Sequence, residues 1–150
     1  MGLKLFLGCD SLGCMERTIK NYRQWMDAKS FINNKGIRRS FKEGDIWWAA
    51  VGENVGVEID GKSKKYSRPI LILKKHSNLF FTAVPLSTQI HTGTWYVQFV
   101  FREKIQTAVV VQSKPMDVSR LYERIGEVSK GDYNKILAGF QLLFANKNMP

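Results

Sequence analysis

Gly44-Asp45-Ile46-Trp47-Trp48 opens the stretch 44–75 and Ser67-Arg68-Pro69-Ile70-Leu71-Ile72-Leu73-Lys74-Lys75 closes it, with a polar loop of Gly, Glu and Lys between. Both ends read as strands, and the dipeptide Arg68-Pro69 sets where the second begins. Proline pushes the residue before it into an extended conformation. It is tolerated as a first strand residue, where no N–H is needed. Arg68 is therefore expected at a strand mouth, backed by a buried β segment and facing the loop. A guanidinium fixed there suits a phosphate; the plainer alternative is a surface arginine that merely opens a strand.

The 150 residues are enough for one good core. A net charge of +10, spread along the chain rather than gathered in a tail, points to a folded surface with a polyanionic partner, most simply nucleic acid. Only Cys9 and Cys14 are present, too few for a four-ligand zinc site, and reduced cytoplasmic thiols are expected. Leu5-Phe6-Leu7 is too short an apolar run for a signal peptide. No stretch approaches the roughly 18 apolar residues of a membrane span.

Two units are expected: an extension over 1–40 and a main domain over 41–150. In the extension, 15–33 has helical spacing, with Met15, Ile19, Tyr22, Met26 and also Trp25 along one stripe. Asn33-Asn34-Lys35-Gly36 stops it, since Asn and Gly tolerate left-handed backbone. A basic connector, 37–43, leads onward. The rest reads mainly as β, with five strands at about 45–51, 68–75, 79–86, 94–102 and 107–112. Phe80-Phe81-Thr82-Ala83-Val84 and Ala108-Val109-Val110-Val111 are continuous apolar runs, expected to be buried on both faces. Short strands with long loops suggest a small, curved antiparallel barrel. Residues 117–124 suit a short helix with Leu121 and Ile125 inward. Ser129 and Asp132 then start a closing amphipathic helix with Tyr133, Ile136, Leu137, Phe140, Leu143 and Phe144 on one face. Gly139 within it allows a close approach.

His76 and His91 stand alone, and no carboxylate cluster has metal-ligand spacing, so no metal or cofactor is expected. The Walker and dinucleotide-binding glycine loops are missing too. What stands out is a set of phosphate-directed donors at strand ends: Arg68, then Ser87 and Thr88, then Gln112 and Lys114. Brought to one rim, they suit a transition state in which charge builds on phosphate oxygens.

These residues carry a resemblance. Gly44-Asp45-Ile46-Trp47, Gly56-x-Glu58, Ser67-Arg68-Pro69-Ile70-Leu71-Ile72-Leu73, Pro85-Leu86-Ser87-Thr88-Gln89, Gln112-x-Lys114-x-x-Asp117, Arg120-Leu121 and Ile125-Gly126 follow the order seen in MazF/PemK-type toxins. Over about 41–144 the chain resembles these endoribonucleases of toxin–antitoxin pairs; residues 1–40 lie outside the likeness. The resemblance implies a mainly β fold with α elements: a small SH3-like antiparallel β-barrel with a C-terminal helix, here carrying an N-terminal helical extension. It implies a cytoplasmic homodimer that binds single-stranded RNA and a cognate acidic antitoxin, with no membrane role. Cleavage in the family needs no metal: the ribose 2′-oxygen attacks the adjacent phosphate. Arg68 matches the catalytic arginine and Ser87 the Ser/Thr on the scissile phosphate. Gln112 and Lys114 match the pair lining the RNA groove, with Thr88 and Glu58 beside them as RNA-binding candidates.

Departures leave the general base open. Some members hold an acid and an Arg where this chain has Val111 and Val109, and a His where it has Val57. Glu58 either acts directly or orders its loop; His91 is a proton shuttle or a solvent-facing histidine. Loop 52–66 is expected to be mobile and to close on RNA, its Lys62, Lys64 and Lys65 touching phosphates or keeping it soluble. Trp47, Trp48, Trp95 and Tyr66 are candidates for base stacking. The alternative function is a catalytically silent nucleic-acid or antitoxin binding module on the same fold. A gyrase-poisoning activity, also known on this fold, is disfavoured by the Arg68 and Ser87 matches.

Overall fold

The computed structural model describes residues 19–145. The readings of Cys9, Cys14 and Met15 lie outside that range. The chain forms α1 (Tyr22–Lys35), β1 (Asp45–Ala50), β2 (Ser67–Lys75), β3 (Phe80–Ser87), β4 (Tyr96–Phe101), β5 (Lys104–Val109), β6 (Lys114–Asp117), β7 (Leu121–Glu127) and α2 (Lys130–Leu142). The strands pair antiparallel in the order β4-β5-β3-β2-β1-β7, with β6 also on β3. The architecture is thus mainly antiparallel β with a helix at each end, as expected.

β2 lies at the middle of this order. Successive side chains of a strand face opposite ways, so Ile70 and Ile72 enter one core while Leu71 and Leu73 enter the other. The first core also holds Phe41, Trp47, Phe81, Met116 and Leu121; the second holds Ile46, Val84, Phe99, Val110 and Ile136. Burial on both faces explains the unbroken run Ile70-Leu71-Ile72-Leu73. Pro85, which has no N–H to give, falls where β3 stops pairing with β6 and starts pairing with β5. Asp45, 2% exposed, opens β1 and accepts from Arg124 Nε at 2.9 Å and Nη2 at 2.7 Å, tying β1 to β7.

Seven strands replace the five expected. Residues 117–124 are not a helix: a single 3-10 turn (Val118–Arg120) leads into β7, which pairs with β1. Only Leu121 of β7 is fully buried, so its alternation carries no apolar signal. β5 begins at Lys104 and ends at Val109, with Val110–Gln112 a 3-10 turn. Both-face burial holds for Val84, Ala108 and Val110, while Phe80 and Val111 at the run ends are 44% and 43% exposed.

α1 starts at Asn21, whose side chain accepts from Gln24 N, and stops at left-handed Gly36 (φ 55°), the residue expected to end it. Its buried stripe differs from expectation. Trp25 packs with partly buried Ala28 and Ile32 against Ala50 and Tyr66, while Ile19, Tyr22 and Met26 are exposed. Gly52 (φ 96°) sets this phase, because the Trp25 ring fills the space a Cβ there would need. α2 follows its expected pattern more closely: Ser129 Oγ accepts from Asp132 N at 3.1 Å, Ile136 is fully buried, and Gly139 lies on Val97. Phe144 departs from the stripe at 73% exposed.

Candidate functional site

Arg68 leaves the sheet at the mouth of β2, half-buried. Its Nε donates to the Asp60 carbonyl at 2.9 Å and Nη1 to the Leu86 carbonyl at 3.2 Å. Two of the five guanidinium N–H groups are thereby fixed, and three are left for a ligand. Burial pushes the Arg68 pKa down, and the charge of Asp60 opposes that shift. Arginine stays charged all the same.

The Leu86 contact brings the end of β3 beside Arg68. Ser87 and Thr88 line the same cavity as Arg68, of about 400 Å³, with Trp48, Lys62, Lys65, Gln106, Tyr122 and Glu123 around them. Ser87 Oγ accepts from Gln89 N at 3.1 Å, so the hydroxyl caps its own turn as an acceptor while its O–H stays available to donate. The sequence reading missed Gln106, Tyr122 and Glu123. They stand on β5 and β7, and the helical spacing over 117–124 conceals the start of β7.

Gln112 and Lys114 line a second cleft of about 700 Å³ together with Glu58, Asn54, Val57, Trp95 and Val111. One rim was expected; the loop between β1 and β2 divides it in two. Gln112 holds that loop at both ends of its amide: Oε1 accepts from Ile59 N at 2.5 Å and Nε2 donates to the Val57 carbonyl at 3.1 Å. Within the loop, Glu58 Oε2 accepts from Val55 N at 3.0 Å, Asn54 Nδ2 donates to the Ile59 carbonyl at 2.7 Å, and Asp60 Oδ1 accepts from Asn54 N at 2.6 Å. Glu58 is accordingly a loop-ordering group here, outside the Arg68 cavity. Burial lowers the Lys114 pKa and neighbouring Arg120 lowers it further, against the pull of Glu58 and Asp60.

The aromatic candidates separate by exposure. Trp47 and Tyr66 are core residues at 6% and 8%, whereas Trp48 faces the Arg68 cavity and Trp95 the Gln112 cleft. His91 stacks on Tyr96 with ring centroids 4.9 Å apart and lines neither cleft. His76 bonds Thr82 Oγ1 at 2.8 Å, beyond both clefts. Among the described residues no group of three or more His, Cys, Asp or Glu gathers around one point, and no helix is long and apolar enough to cross a membrane.

Solved structures share this fold at low identity. A mycobacterial endoribonuclease in complex with its cognate antitoxin is 18% identical, with a TM-score of 0.52 over 74% of this chain and 100% of its own. MazF from Deinococcus radiodurans is 14% identical, with a TM-score of 0.57 over 72% of this chain and 99% of its own. Another solved structure, of an endoribonuclease from a mycobacterial species, is 15% identical, with a TM-score of 0.56 over 75% of this chain and 99% of its own. No curated protein matches the chain. The family described as PemK-like, MazF-like toxin of type II toxin-antitoxin system matches residues 42–144. That segment contains every strand and α2 and leaves out α1, and the chain belongs to this toxin family.

Proposed function

We propose that the chain is the toxin of a toxin–antitoxin pair and a metal-independent endoribonuclease acting on single-stranded RNA. The observation that carries this reading is the cavity that Arg68, Ser87 and Thr88 line together, with three guanidinium N–H groups and the Ser87 hydroxyl proton unengaged among the described residues. Donors of this kind, held in place before substrate arrives, stabilise charge developing on phosphate oxygens. The ribose 2′-oxygen forms a bond to the adjacent phosphorus and the P–O5′ bond breaks, leaving a 2′,3′-cyclic phosphate and a free 5′-hydroxyl. Arg68 holds the phosphorane-like charge and Ser87 donates to a phosphate oxygen. The 2′-hydroxyl proton passes to a base and the departing 5′-oxygen takes up a proton to become the hydroxyl, so the step is proton-neutral overall; Glu123 is the one carboxylate among the residues lining this cavity.

The RNA runs on to Gln112 and Lys114, with Trp48 and Trp95, one in each cleft, as stacking surfaces. The acidic antitoxin covers the same cationic groups, and the working form is a homodimer. The test is incubation with RNA in EDTA beside Arg68→Ala. Site-specific cleavage that disappears in the variant supports the reading. Retarded RNA mobility without cleavage points instead to a silent binding module, the reading that Val57 and Val111 in the second cleft would favour.

A further inference from the structure

The loop that divides the two clefts is gripped from outside the family-matched segment. Lys20, just ahead of α1, donates from Nζ to the Asn54 carbonyl at 2.5 Å and pairs with Asp60 Oδ2 at 2.6 Å. Tyr22 Oη donates to the same Asn54 carbonyl at 3.2 Å. The helix behind these contacts is well seated. Trp25 stacks with Tyr66 at 5.3 Å between ring centroids, and the Arg120 guanidinium lies 5.8 Å over the Trp25 ring while donating to the Ala50 carbonyl at 3.0 Å.

Asp60 is where the two halves of the molecule meet. Its carboxylate accepts from Lys20 and from Asn54 N, and its carbonyl accepts from Arg68 Nε. It lines neither cleft, but its negative charge acts on the cations of both: its field reaches Arg68 and Lys114. An uncancelled carboxylate there repels an incoming phosphodiester. The Lys20 side chain is only 15% exposed and the Asp60 side chain 32%, so solvent screens this pair less than an open surface pair. Burial alone would favour the neutral amine, but the bond to Asp60 and its charge outweigh that and hold the Lys20 pKa above its usual value.

We propose that Lys20 is a positioning residue of the RNA site, clamping Asp60 so that its carbonyl orients Arg68 and cancelling the carboxylate charge that would otherwise repel the scissile phosphate. The idea rests on the ribonuclease reading for its kinetic consequences, but not for its structural ones. The two roles separate by substitution. Lys20→Met removes both the clamp and the cancelling charge. Asp60→Asn, added to it, removes the repelling charge and keeps the backbone carbonyl.

The experiment compares wild type, Lys20→Met and the Lys20→Met/Asp60→Asn double variant in three measurements: RNA cleavage kinetics in EDTA, thermal midpoint, and solvent exchange of the Arg68 Nε–H by 15N NMR. In Lys20→Met, KM should rise about tenfold, the size expected of one unit charge on the order of 10 Å away in a partly screened site. Its kcat should fall several-fold, and the Arg68 Nε–H should exchange faster. The double variant should recover KM to within about twofold of wild type while kcat stays low, since charge is repaired and the clamp is not. A purely structural role predicts the reverse, with KM no better in the double variant and losses that follow the thermal midpoint; that result overturns the proposal. If the wild type leaves RNA intact, the ribonuclease reading fails by itself. Arg68 Nε–H exchange then still decides the clamp: faster exchange in Lys20→Met upholds it, and unchanged exchange overturns it.

Discussion

The clefts on either side of the β1–β2 loop hold similar groups in different states of engagement. In the first, Arg68 is pinned by two carbonyls yet presents three N–H groups, and Ser87 keeps a free proton. In the second, both ends of the Gln112 amide are bound to the loop backbone, and the Glu58 carboxylate is bound to Val55 N. In the first cleft the donors that the proposed reading assigns to phosphate are not engaged by other groups among the described residues. The second meets RNA only if a ligand replaces the loop at Gln112 or runs along Lys114 beside it. On the proposed ribonuclease reading, chemistry and RNA placement fall on different sides of one loop, and substitutions should divide the same way, into effects on kcat and effects on KM.

The largest expected effect tests whether the first cleft needs a fork or merely a charge. Arg68→Lys keeps the charge but cannot hold the Asp60 and Leu86 carbonyls and a phosphate together. Cleavage rate should fall on the order of a hundredfold, close to the loss in Arg68→Ala. Single-turnover cleavage in EDTA reads this directly. A lysine variant with near-normal kcat would mean that charge alone suffices and the two clefts differ less than claimed.

Ser87→Ala comes next. It removes the O–H donor and the acceptor for Gln89 N, and kcat should drop roughly tenfold to a hundredfold, the range for one hydrogen bond to a charged group. Ser87→Thr restores a hydroxyl and should recover most of the rate, whereas Thr88→Val should change it little. If Ser87→Thr is as slow as Ser87→Ala, the hydroxyl serves its turn and not the phosphate.

How far this contrast could be read from the chain alone depends on what each part rests on. Arg68-Pro69 before four apolar residues announces a strand mouth because proline restricts its predecessor, and the arginine stands there, half-buried. Ser129 and Asp132 announce the start of α2 by the same kind of local chemistry. The strands of the β4–β5 hairpin were legible, but its turn was expected a few residues later than it falls. Its turn is Arg102-Glu103 with φ of 49° and 61°, values usually signalled by Gly or Asn. β7 hid for a different reason: Leu121 and Ile125 fit a helical spacing, and only pairing with β1 makes the segment a strand. Division of the expected rim into two clefts was beyond local reading as well, since it depends on Gln112 reaching a loop more than fifty residues earlier.

Gln112→Leu sharpens the second half of the comparison. It releases Ile59 N and the Val57 carbonyl together, so the loop loses its hold on the second cleft but keeps Lys20 and Arg68. Two ordinary hydrogen bonds contribute roughly 1 kcal/mol each, so amide exchange of residues 55–60 should accelerate by tenfold or more. KM should change several-fold while kcat stays within about twofold. A kcat loss as large as that of Ser87→Ala would show that the clefts act as one site.

The smallest effect is set by Lys114 and read through pH. Its ammonium lies among buried surroundings beside Arg120, with Nζ 3.5 Å from the Val51 carbonyl, and burial, then Arg120, pushes its pKa below the ordinary lysine value. The charged form is the one that attracts phosphate. RNA affinity should fall as pH climbs through that lowered pKa, earlier than a free lysine near 10.4 would allow. Arg68, though also shifted down by burial, stays protonated throughout and adds no such limb. Lys114→Arg should abolish the alkaline fall and preserve affinity at neutral pH. Lys114→Gln should abolish it too, weaken binding evenly across sequences, and make the log–log salt dependence shallower by about 0.7, the value for one phosphate contact on a single strand. Fluorescence anisotropy with a labelled oligoribonucleotide across pH and salt measures all three. An alkaline limb that persists unchanged in Lys114→Arg would place the titrating group elsewhere and remove Lys114 from the path of the strand.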